Sequence, residues 1–339
     1  MIASNPLYLH THDSLGWQKT LANCLTQPEQ LLQRLELDLS ALSEIKKAHS
    51  DFKLLVPEPY LKRIKKGDPD DPLLKQILPT GQELSQTPGF TRDPLNEGEY
   101  NPFEGIIHKY KGRLLLITSG ACAVNCRFCF RRHFPYQNNQ LGGAKLDKAL
   151  SYIAKDTSIR EVILSGGDPL AASDNRLQRL TTSLAAISHV QILRIHSRLP
   201  IVIPQRITDE MIHWFTSTRL SPVLVIHCNH PQEIDQQVAN SLNQLHRAGV
   251  TLLNQSTLLK GVNDSAEVLI RLSHKLFEHH VLPYYLHQLD HVQGAAHFEV
   301  SDTKALKLMH AVMANCSGYL VPKLVRELDG YPNKIPLSA

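Results

Sequence analysis

Long hydrophobic runs and blocks of like charge are absent from this sequence, which argues against two broad classes of protein. No apolar stretch approaches the roughly 18 residues that a membrane-spanning helix needs, and 36 Lys and Arg are nearly balanced by 32 Asp and Glu. Residues 1–10 lack the basic and apolar parts of a secretory signal. We therefore expect a cytoplasmic protein whose main partner is neither a membrane nor a nucleic acid.

Cysteine is scarce, yet three of the six cysteines lie close together, as Cys122, Cys126 and Cys129. In a reducing compartment such clusters are more often metal ligands than disulfides. Three thiolates can hold an iron–sulfur cluster and leave one iron open to a further ligand. The alternatives are buried thiols or a structural zinc site, for which no second pair of ligands is visible. Buried thiols are the expectation for the remaining cysteines, which are Cys24, Cys228 and Cys316.

Strand and helix patterns alternate from residue 113 onward, which is typical of parallel βαβ units. Six such units fit an incomplete (β/α)6 barrel better than a closed barrel of eight, so the predicted fold class is α/β. The predicted strands cover residues 114–118, 161–165, 192–197, 223–227, 251–255 and 281–287. The predicted helices cover residues 146–154, 175–187, 208–216, 233–247, 266–279 and 303–314.

These patterns divide the chain into three predicted segments. Residues 1–100 form a helical N-terminal extension and connector, 101–300 hold the barrel, and 301–339 hold a last helix and a short tail. In the extension, Thr26-Gln27-Pro28-Glu29 has the pattern of a capped helix start. Residues 67–72 are typical of a solvated turn, and residues 91–110 of an extended connector.

Polar residues follow the predicted strands, where the chemistry of such barrels lies. Residues 165–168, Ser-Gly-Gly-Asp, end the second strand, and two glycines there let the backbone approach a ligand closely. An ordinary glycine turn is the alternative. In the third strand Arg194, His196 and Arg198 point to one face. Buried basic groups need an anion, so we expect either a carboxylate or phosphate ligand or an internal acid.

The cysteine spacing, with Phe128 before the third cysteine, resembles the signature of the radical S-adenosylmethionine (SAM) superfamily. Residues 165–168 resemble that superfamily's Gly-Gly-Glu element, which meets the SAM amino group. The resemblance implies a [4Fe–4S] cluster that binds SAM and, with an external reductant, cleaves it to a 5′-deoxyadenosyl radical. The implied metal ligands are Cys122, Cys126 and Cys129. Implied cofactor-binding residues are Ser165, Gly166, Gly167, Asp168, Arg198 and Gln255.

Further segments narrow the resemblance to the lysine 2,3-aminomutase family, in that family's order from about residue 68 to 336. The matching segments are 93–97, 113–118, 122–132, 165–170, 204–208, 254–264 and 283–290. This family also uses pyridoxal 5′-phosphate (PLP), which needs an anchoring lysine. The resemblance implies Lys334, in a turn with fewer glycines than the family's, and Arg113 as the residue that binds the PLP phosphate.

L-Lysine is the substrate that the resemblance implies. Arg131 resembles the family residue that holds the substrate carboxylate, and Asp290 and Glu327 resemble the acids that hold the distal ammonium. Asp329 is a rival for the position of Glu327. Arg132 is expected to be a solvated charge without a role in the site.

The implied reaction moves the amino group of L-lysine from Cα to Cβ and gives β-lysine. The chain looks most like the bacterial branch whose product a separate ligase attaches to elongation factor P. Longer members of the family carry a structural zinc site, with one cysteine at the position of Ser265 and others in a C-terminal tail. We expect no such zinc site in this chain, whose sequence runs to Ala339. One alternative is a radical SAM enzyme that lacks PLP or that acts on another amino acid such as glutamate. The carboxylates of Asp290 and Glu327 would repel the side chain of glutamate. The other alternative is a non-catalytic iron–sulfur electron carrier.

Overall fold

A single sheet organises the computed structural model, which describes residues 16–139 and 141–337. The predicted absence of a secretory signal in residues 1–10 therefore concerns residues outside the described part. Within the described ranges nine strands pair in sequence order. They are β1 (Ile106–Tyr110), β2 (Arg113–Ser119), β3 (Glu161–Gly166), β4 (Ile192–Ser197), β5 (Ser221–His227), β6 (Thr251–Thr257), β7 (Val281–His287), β8 (Lys323–Arg326) and β9 (Ile335–Pro336).

Strands β2 to β8 run parallel, while β1 and β9 are antiparallel edges on β2 and β8. The sheet is open in the described chain because its two edge strands do not pair with each other. The predicted incomplete α/β barrel is confirmed, with its six strands as β2 to β7. The sequence patterns missed β1, in the stretch expected to be a connector, and the short strands β8 and β9, which add a seventh parallel strand and a second antiparallel edge.

The helices of the described chain form the N-terminal extension and the crossovers of the barrel. The extension holds α1 (Gly16–Ala22), α2 (Pro28–Arg34), α3 (Leu42–Asp51), α4 (Glu58–Leu61) and α5 (Pro72–Lys75). The later helices are α6 (Tyr136–Asn139), α7 (Ala144–Lys155), α8 (Asp174–Ala185), α9 (Leu199–Val202), α10 (Asp209–Thr216), α11 (Gln236–Arg247), α12 (Ala266–Glu278) and α13 (Asp302–Asn315). None of these helices is long and apolar enough to cross a membrane.

Several barrel helices begin after a polar N-cap residue, at the point where the hydrophobic pattern changes from the period of a strand to that of a helix. Thr208, Asp235 and Ser265 accept hydrogen bonds from the backbone N–H groups three residues on, at 3.1, 2.9 and 3.3 Å. Such caps satisfy N–H groups that have no partner within the helix. They fix where each helix turns back over the sheet.

Successive side chains of a barrel strand alternate between the apolar core under the helices and the inside of the barrel. In β4, Leu193 and Ile195 are fully buried beneath the helices, whereas Arg194 and His196 face the inside of the barrel. A period of two residues places successive side chains on opposite faces of a sheet. The same strand therefore supplies both apolar packing and a polar wall for the site.

Two details of the N-terminal extension differ from the sequence prediction. Helix α2 begins at Pro28 with Gln27 as N-cap, and the Gln27 side chain makes no cap hydrogen bond. Glutamine is not among the short polar residues that cap helices well, and Leu25, two residues earlier, pairs with Val56 in a β-bridge. The turn at residues 67–72 is not wholly solvated either. Asp71 is buried and accepts hydrogen bonds from the backbone N–H groups of Leu73 and Leu74 at 2.8 and 3.0 Å.

Two leucines of β7 give a direct test of this packing, because Leu286 is 1% exposed and Leu282 is 42% exposed. We expect Leu286→Ala to lower the free energy of unfolding by about 2–5 kcal/mol through lost burial and a residual cavity. Leu282→Ala is the matched control and should change it by about 0.5 kcal/mol or less. Chemical denaturation of both variants measures the difference, and equal losses would contradict the burial of Leu286 and the exposure of Leu282.

Candidate active site

A cavity of about 720 Å³ runs through the inside of the barrel. All the residues predicted for the site line it, although they come from every part of the chain after residue 100. They are Arg113, Cys122, Cys126, Cys129, Arg131, Ser165, Gly166, Gly167, Asp168, Arg198, Gln255, Asp290, Glu327 and Lys334. The structure thus brings them together, while the role of each remains a prediction.

The three cysteines lie in the loop that follows β2, and their environment suits metal ligands. Burial, and next the charge of Cys126, raise the pKa of Cys129 to about 12, so this thiol stays protonated unless a metal takes the thiolate. In the described chain no three His, Cys, Asp or Glu side chains converge on one point as ligands of a single ion do. Cysteines on a cluster bind different irons, so a cluster does not require such convergence.

The glycine pair after β3 is required by close packing on the chain that leads into the cysteines. Gly166 has φ +118°, and a Cβ there would lie 2.5 Å from the carbonyl oxygen of Ser119. A Cβ on Gly167 would lie 2.5 Å from the carbonyl oxygen of Ala121. Both are far shorter than van der Waals contact. These glycines therefore hold the start of the cysteine loop against the end of β3.

Asp168 is engaged internally, which differs from its expected contact with a cofactor. One carboxylate oxygen accepts from the N–H of Leu170 at 3.0 Å and the hydroxyl of Ser197 at 2.7 Å. The other accepts from the N–H groups of Arg198 at 2.8 Å and Leu199 at 3.0 Å. A carboxylate has about four acceptor positions. Its side chain thus joins the turn after β3 to the end of β4.

Arg198 connects the cysteine loop to a buried polar network. Its Nη1 donates to the sulfur of Cys126 at 2.7 Å, and its Nη2 donates to Gln76 at 2.6 Å and Glu233 at 2.9 Å. Hydrogen bonds to cysteine sulfurs are a common feature of iron–sulfur sites. The three thiols and this donor therefore fit an iron–sulfur cluster.

Arg131 is held by an acid that the sequence analysis did not assign. Its Nε and Nη2 donate to the two carboxylate oxygens of Glu97 at 2.8 and 2.6 Å, and its Nη1 donates to the Ser165 hydroxyl at 3.1 Å. Burial lowers the pKa of Arg131, but Glu97 outweighs that effect and raises it. The segment 93–97 was noted in the sequence as a family match, and this contact gives Glu97 its structural role.

Arg132 is not the solvated charge that was expected. Its side chain is fully buried and lies 2.8 Å from a carboxylate oxygen of Glu83 in the N-terminal extension. The reason is that the cysteine loop folds against the extension, which no local pattern around residue 132 reveals.

Lys334 is placed by two short strands near the end of the described chain. Strand β9, which follows it, pairs with β8, and Nζ of Lys334 lies 2.5 Å from a carboxylate oxygen of Glu327. Glu327 also accepts from the Tyr110 hydroxyl at 2.8 Å and lies 3.5 Å from Nζ of Lys109. The rival acid Asp329 is exposed and bonds outside the cavity, so Glu327 is the acid of this segment that faces the site.

The two predicted substrate acids have opposite electrostatic environments. Burial, and next the neighbouring charge of Glu327, raise the pKa of Asp290 to about 7. Burial alone would raise the pKa of Glu327 too, but Lys334, Tyr110 and Lys109 lower it to about 2. Asp290 makes no ion pair within the described chain. Glu327 is thus an anion with internal partners, whereas Asp290 is an acid that still lacks a cation.

Other polar groups in the cavity wall also lack partners. Arg113 forms no ion pair within residues 16–139 and 141–337, and its guanidinium lies 4.6 Å from the ring centroid of Tyr110. The Nε2 atoms of His196 and His227 are buried without a hydrogen-bond partner among the residues that the structure describes. Gln255 lines the cavity beside His227 on the next strand. An unpartnered cation and unpartnered ring nitrogens fit a site that binds an anionic, polar ligand such as a phosphate-bearing cofactor.

Comparison with known proteins finds relatives over nearly the full chain. The chain is 50% identical over 319 residues to an L-lysine 2,3-aminomutase of Haemophilus influenzae, covering 94% of each protein. It is 49% identical over 331 residues to the Escherichia coli K12 protein of the same name, covering 97% of this chain and 96% of the relative. The L-lysine 2,3-aminomutase of Clostridium subterminale is 36% identical over 323 residues, covering 95% of this chain and 77% of the relative.

Two further comparisons add little. No family model matches the chain. Among solved structures, coproporphyrinogen III oxidase (HemN) from Escherichia coli, described as a radical SAM enzyme, aligns with a TM-score of 0.40 at 12% identity over 61% of this chain and 52% of that chain. That likeness is too weak to carry a conclusion. The sequence relatives are decisive, and they confirm the resemblance noted in the motifs: this chain belongs to the L-lysine 2,3-aminomutase family.

Proposed function

We propose that this protein is a radical SAM, PLP-dependent isomerase that converts L-lysine into β-lysine. The observation that carries the proposal is the content of one cavity. Its wall holds three clustered thiols, an amine on Lys334 and the two acids Asp290 and Glu327. Thiols, an amine and acids in that combination suit a cluster, a PLP anchor and a cationic substrate side chain.

The cofactors would be held by different parts of the wall. Cys122, Cys126 and Cys129 would hold the cluster, Arg113 the PLP phosphate and Lys334 the PLP ring. Bound there, the cluster with SAM supplies a radical that removes a hydrogen atom, and PLP supplies a conjugated system that stabilises the migrating nitrogen. The protein's own task is to orient the substrate and keep water out of the cavity.

Arg131 retains the donors that a substrate carboxylate needs. A guanidinium has five N–H groups, and the bonds to Glu97 and Ser165 use three of them, which leaves one on each terminal nitrogen. Two such donors match the two oxygens of a carboxylate. Glu97 fixes the plane of the guanidinium, so Arg131 is already oriented before substrate arrives.

The distal pocket favours a cationic side chain. Glu327 lies 2.5 Å from the amine of Lys334, and this contact supports the proposal that an ammonium binds against this carboxylate. A substrate ammonium in that place would also face Asp290, whose charge lacks a partner within the described chain. Glutamate would bring a third carboxylate to the same pocket, where like charges repel. Lysine is therefore the substrate that these charges favour.

We also propose that the product serves the modification of elongation factor P through a separate ligase, in the cytoplasm. The support is the likeness of the motifs to that branch of the family. A reducing cytoplasm also suits the six cysteines, all described and none in a disulfide.

The reaction is tested by anaerobic reconstitution with iron, sulfide, PLP, SAM, a reductant and L-lysine, with β-lysine measured by mass spectrometry. We expect β-lysine from wild type and none from Lys334→Ala, because that change removes the PLP anchor. Lys323→Ala, at an exposed lysine on β8, is the matched control and should retain activity. Formation of 5′-deoxyadenosine without β-lysine would rule out lysine as the substrate. Neither product from a protein with a loaded cluster would rule out the radical chemistry.

Substrate binding should depend on pH through Asp290, which must be ionised to attract an ammonium. The groups that set its charge are Glu327, Lys334, Glu97 and Lys109, and its pKa is raised to about 7. We expect kcat/KM for L-lysine to rise about tenfold between about pH 6 and pH 8, since this ratio reports groups of the free enzyme. Asp290→Asn should lower kcat/KM and remove that step. An identical pH profile in the variant would show that Asp290 does not bind the ammonium.

The cellular role is tested by deleting the gene in its own host and measuring the intact mass of elongation factor P. We expect the mass to fall by one β-lysyl group. Supplying β-lysine in the medium should restore it, because the separate ligase is still present. An unchanged mass in the deletion strain would refute this part of the proposal.

A further inference from the structure

The cysteine loop, residues 120–132, is fastened to the N-terminal extension by hydrogen bonds at its centre. The backbone N–H of Asn125 donates to the carbonyl oxygen of Leu55 at 3.2 Å, and that of Arg127 donates to Gln76 at 2.9 Å. The Asn125 side chain donates to the carbonyl oxygen of Lys53 at 2.9 Å. These contacts flank Cys126. The extension is therefore in a position to determine the shape of the loop.

One buried acid of the extension binds two arginines of the loop. Arg127, which directly follows Cys126, donates from Nε and Nη2 to the two carboxylate oxygens of Glu83 at 2.8 and 2.5 Å. Arg132, three residues after Cys129, donates from Nη2 to Glu83 at 2.8 Å. Its Nη1 donates to the carbonyl oxygen of Arg127 at 3.2 Å. Glu83 thus ties the middle of the cysteine loop to its end.

The contact between Glu83 and the two arginines is buried, and several further contacts fix its geometry. The side chains of Arg127 and Arg132 are unexposed and that of Glu83 is 2% exposed. The Glu83 carboxylate is itself held in position, because it also accepts a hydrogen bond from the backbone N–H of Thr80 at 3.1 Å. This bond belongs to the cap of the 3-10 helix Gly81–Leu84. The two guanidinium carbons lie 4.8 and 4.6 Å from the ring centroid of Phe52. All four acceptor positions of the carboxylate are used.

We propose that Glu83 is a positioning residue for the iron–sulfur cluster, acting through Arg127 and Arg132 on the loop that carries Cys126 and Cys129. The proposal rests on the proposed function in that these cysteines hold a cluster. Three ligands on a short loop bind a cluster only if the loop presents them together. Groups that orient metal ligands commonly change metal affinity about 10- to 100-fold when they are lost. The N-terminal extension would then be a working part of the cluster site.

The test compares Glu83→Gln with a control at a similarly buried ion pair. Asp174 pairs with Arg206 at 2.7 Å, with side-chain exposures of 9% and 0%, and lies outside the cavity wall. After anaerobic reconstitution at limiting iron, we expect Glu83→Gln to hold at least twofold less iron and sulfide per chain than wild type. Asp174→Asn should lose thermal stability and yet load as wild type does. The electron paramagnetic resonance spectrum of the reduced cluster should change in the Glu83 variant and stay as in wild type in the Asp174 variant.

A second variant keeps the proposal falsifiable if Glu83→Gln fails to fold. Arg132→Lys preserves the charge and the Arg127–Glu83 pair, but a lysine cannot contact Glu83 and the Arg127 carbonyl through a planar fork. It should show a smaller loss of iron and an altered spectrum. Wild-type loading and spectrum in a folded Glu83 or Arg132 variant would overturn the inference alone. A wild-type protein that takes up no cluster would overturn the proposed function and the inference with it.

Discussion

Buried charge must be paired, and this constraint shapes the cavity wall. Removing a charged group from water costs several kcal/mol unless an opposite charge meets it. Most charged side chains in the wall therefore have an internal partner. The pairs include Arg131 with Glu97, Arg198 with Glu233, Arg194 with Glu161 and Lys334 with Glu327. Arg113 and Asp290 make no such pair within the described chain, and these are the places where an anionic cofactor and a cationic substrate would complete the balance.

Most of these acidic partners come from outside the barrel strands, and Glu161 in β3 is the exception among those named. Glu83 and Glu97 precede the first strand, and Glu327 follows the last helix. Without them, arginines of the cysteine loop would be buried without these carboxylates, and the half-buried amine of Lys334 would lose its partner. The flanking segments are thus bound to the barrel by the same contacts that arrange the site. A substitution in either flanking segment should therefore alter the arrangement of the site as well as the stability of the fold.

The different surroundings of Asp290 and Glu327 give the two carboxyl groups different pKa values. Glu327 is stabilised as an anion by Lys109, Tyr110 and Lys334, whereas Asp290 faces that anion without a cation of its own. Two neighbouring carboxylates resist joint ionisation. A substrate ammonium bound there would relieve this conflict, and its binding would then be coupled to the ionisation of Asp290.

Local patterns determined much of this protein. Alternation of strand and helix periods located β2 to β7, and cysteine spacing with matching segments located the residues that line the cavity. Contacts between distant segments were not visible in those patterns. Arg132 looks like a surface charge until the extension places Glu83 against it. No local pattern shows that four donors from two strand ends meet the carboxylate oxygens of Asp168. Periodicity reports which face a residue takes, whereas burial and pairing depend on what the fold brings to that face, which only the tertiary structure decides.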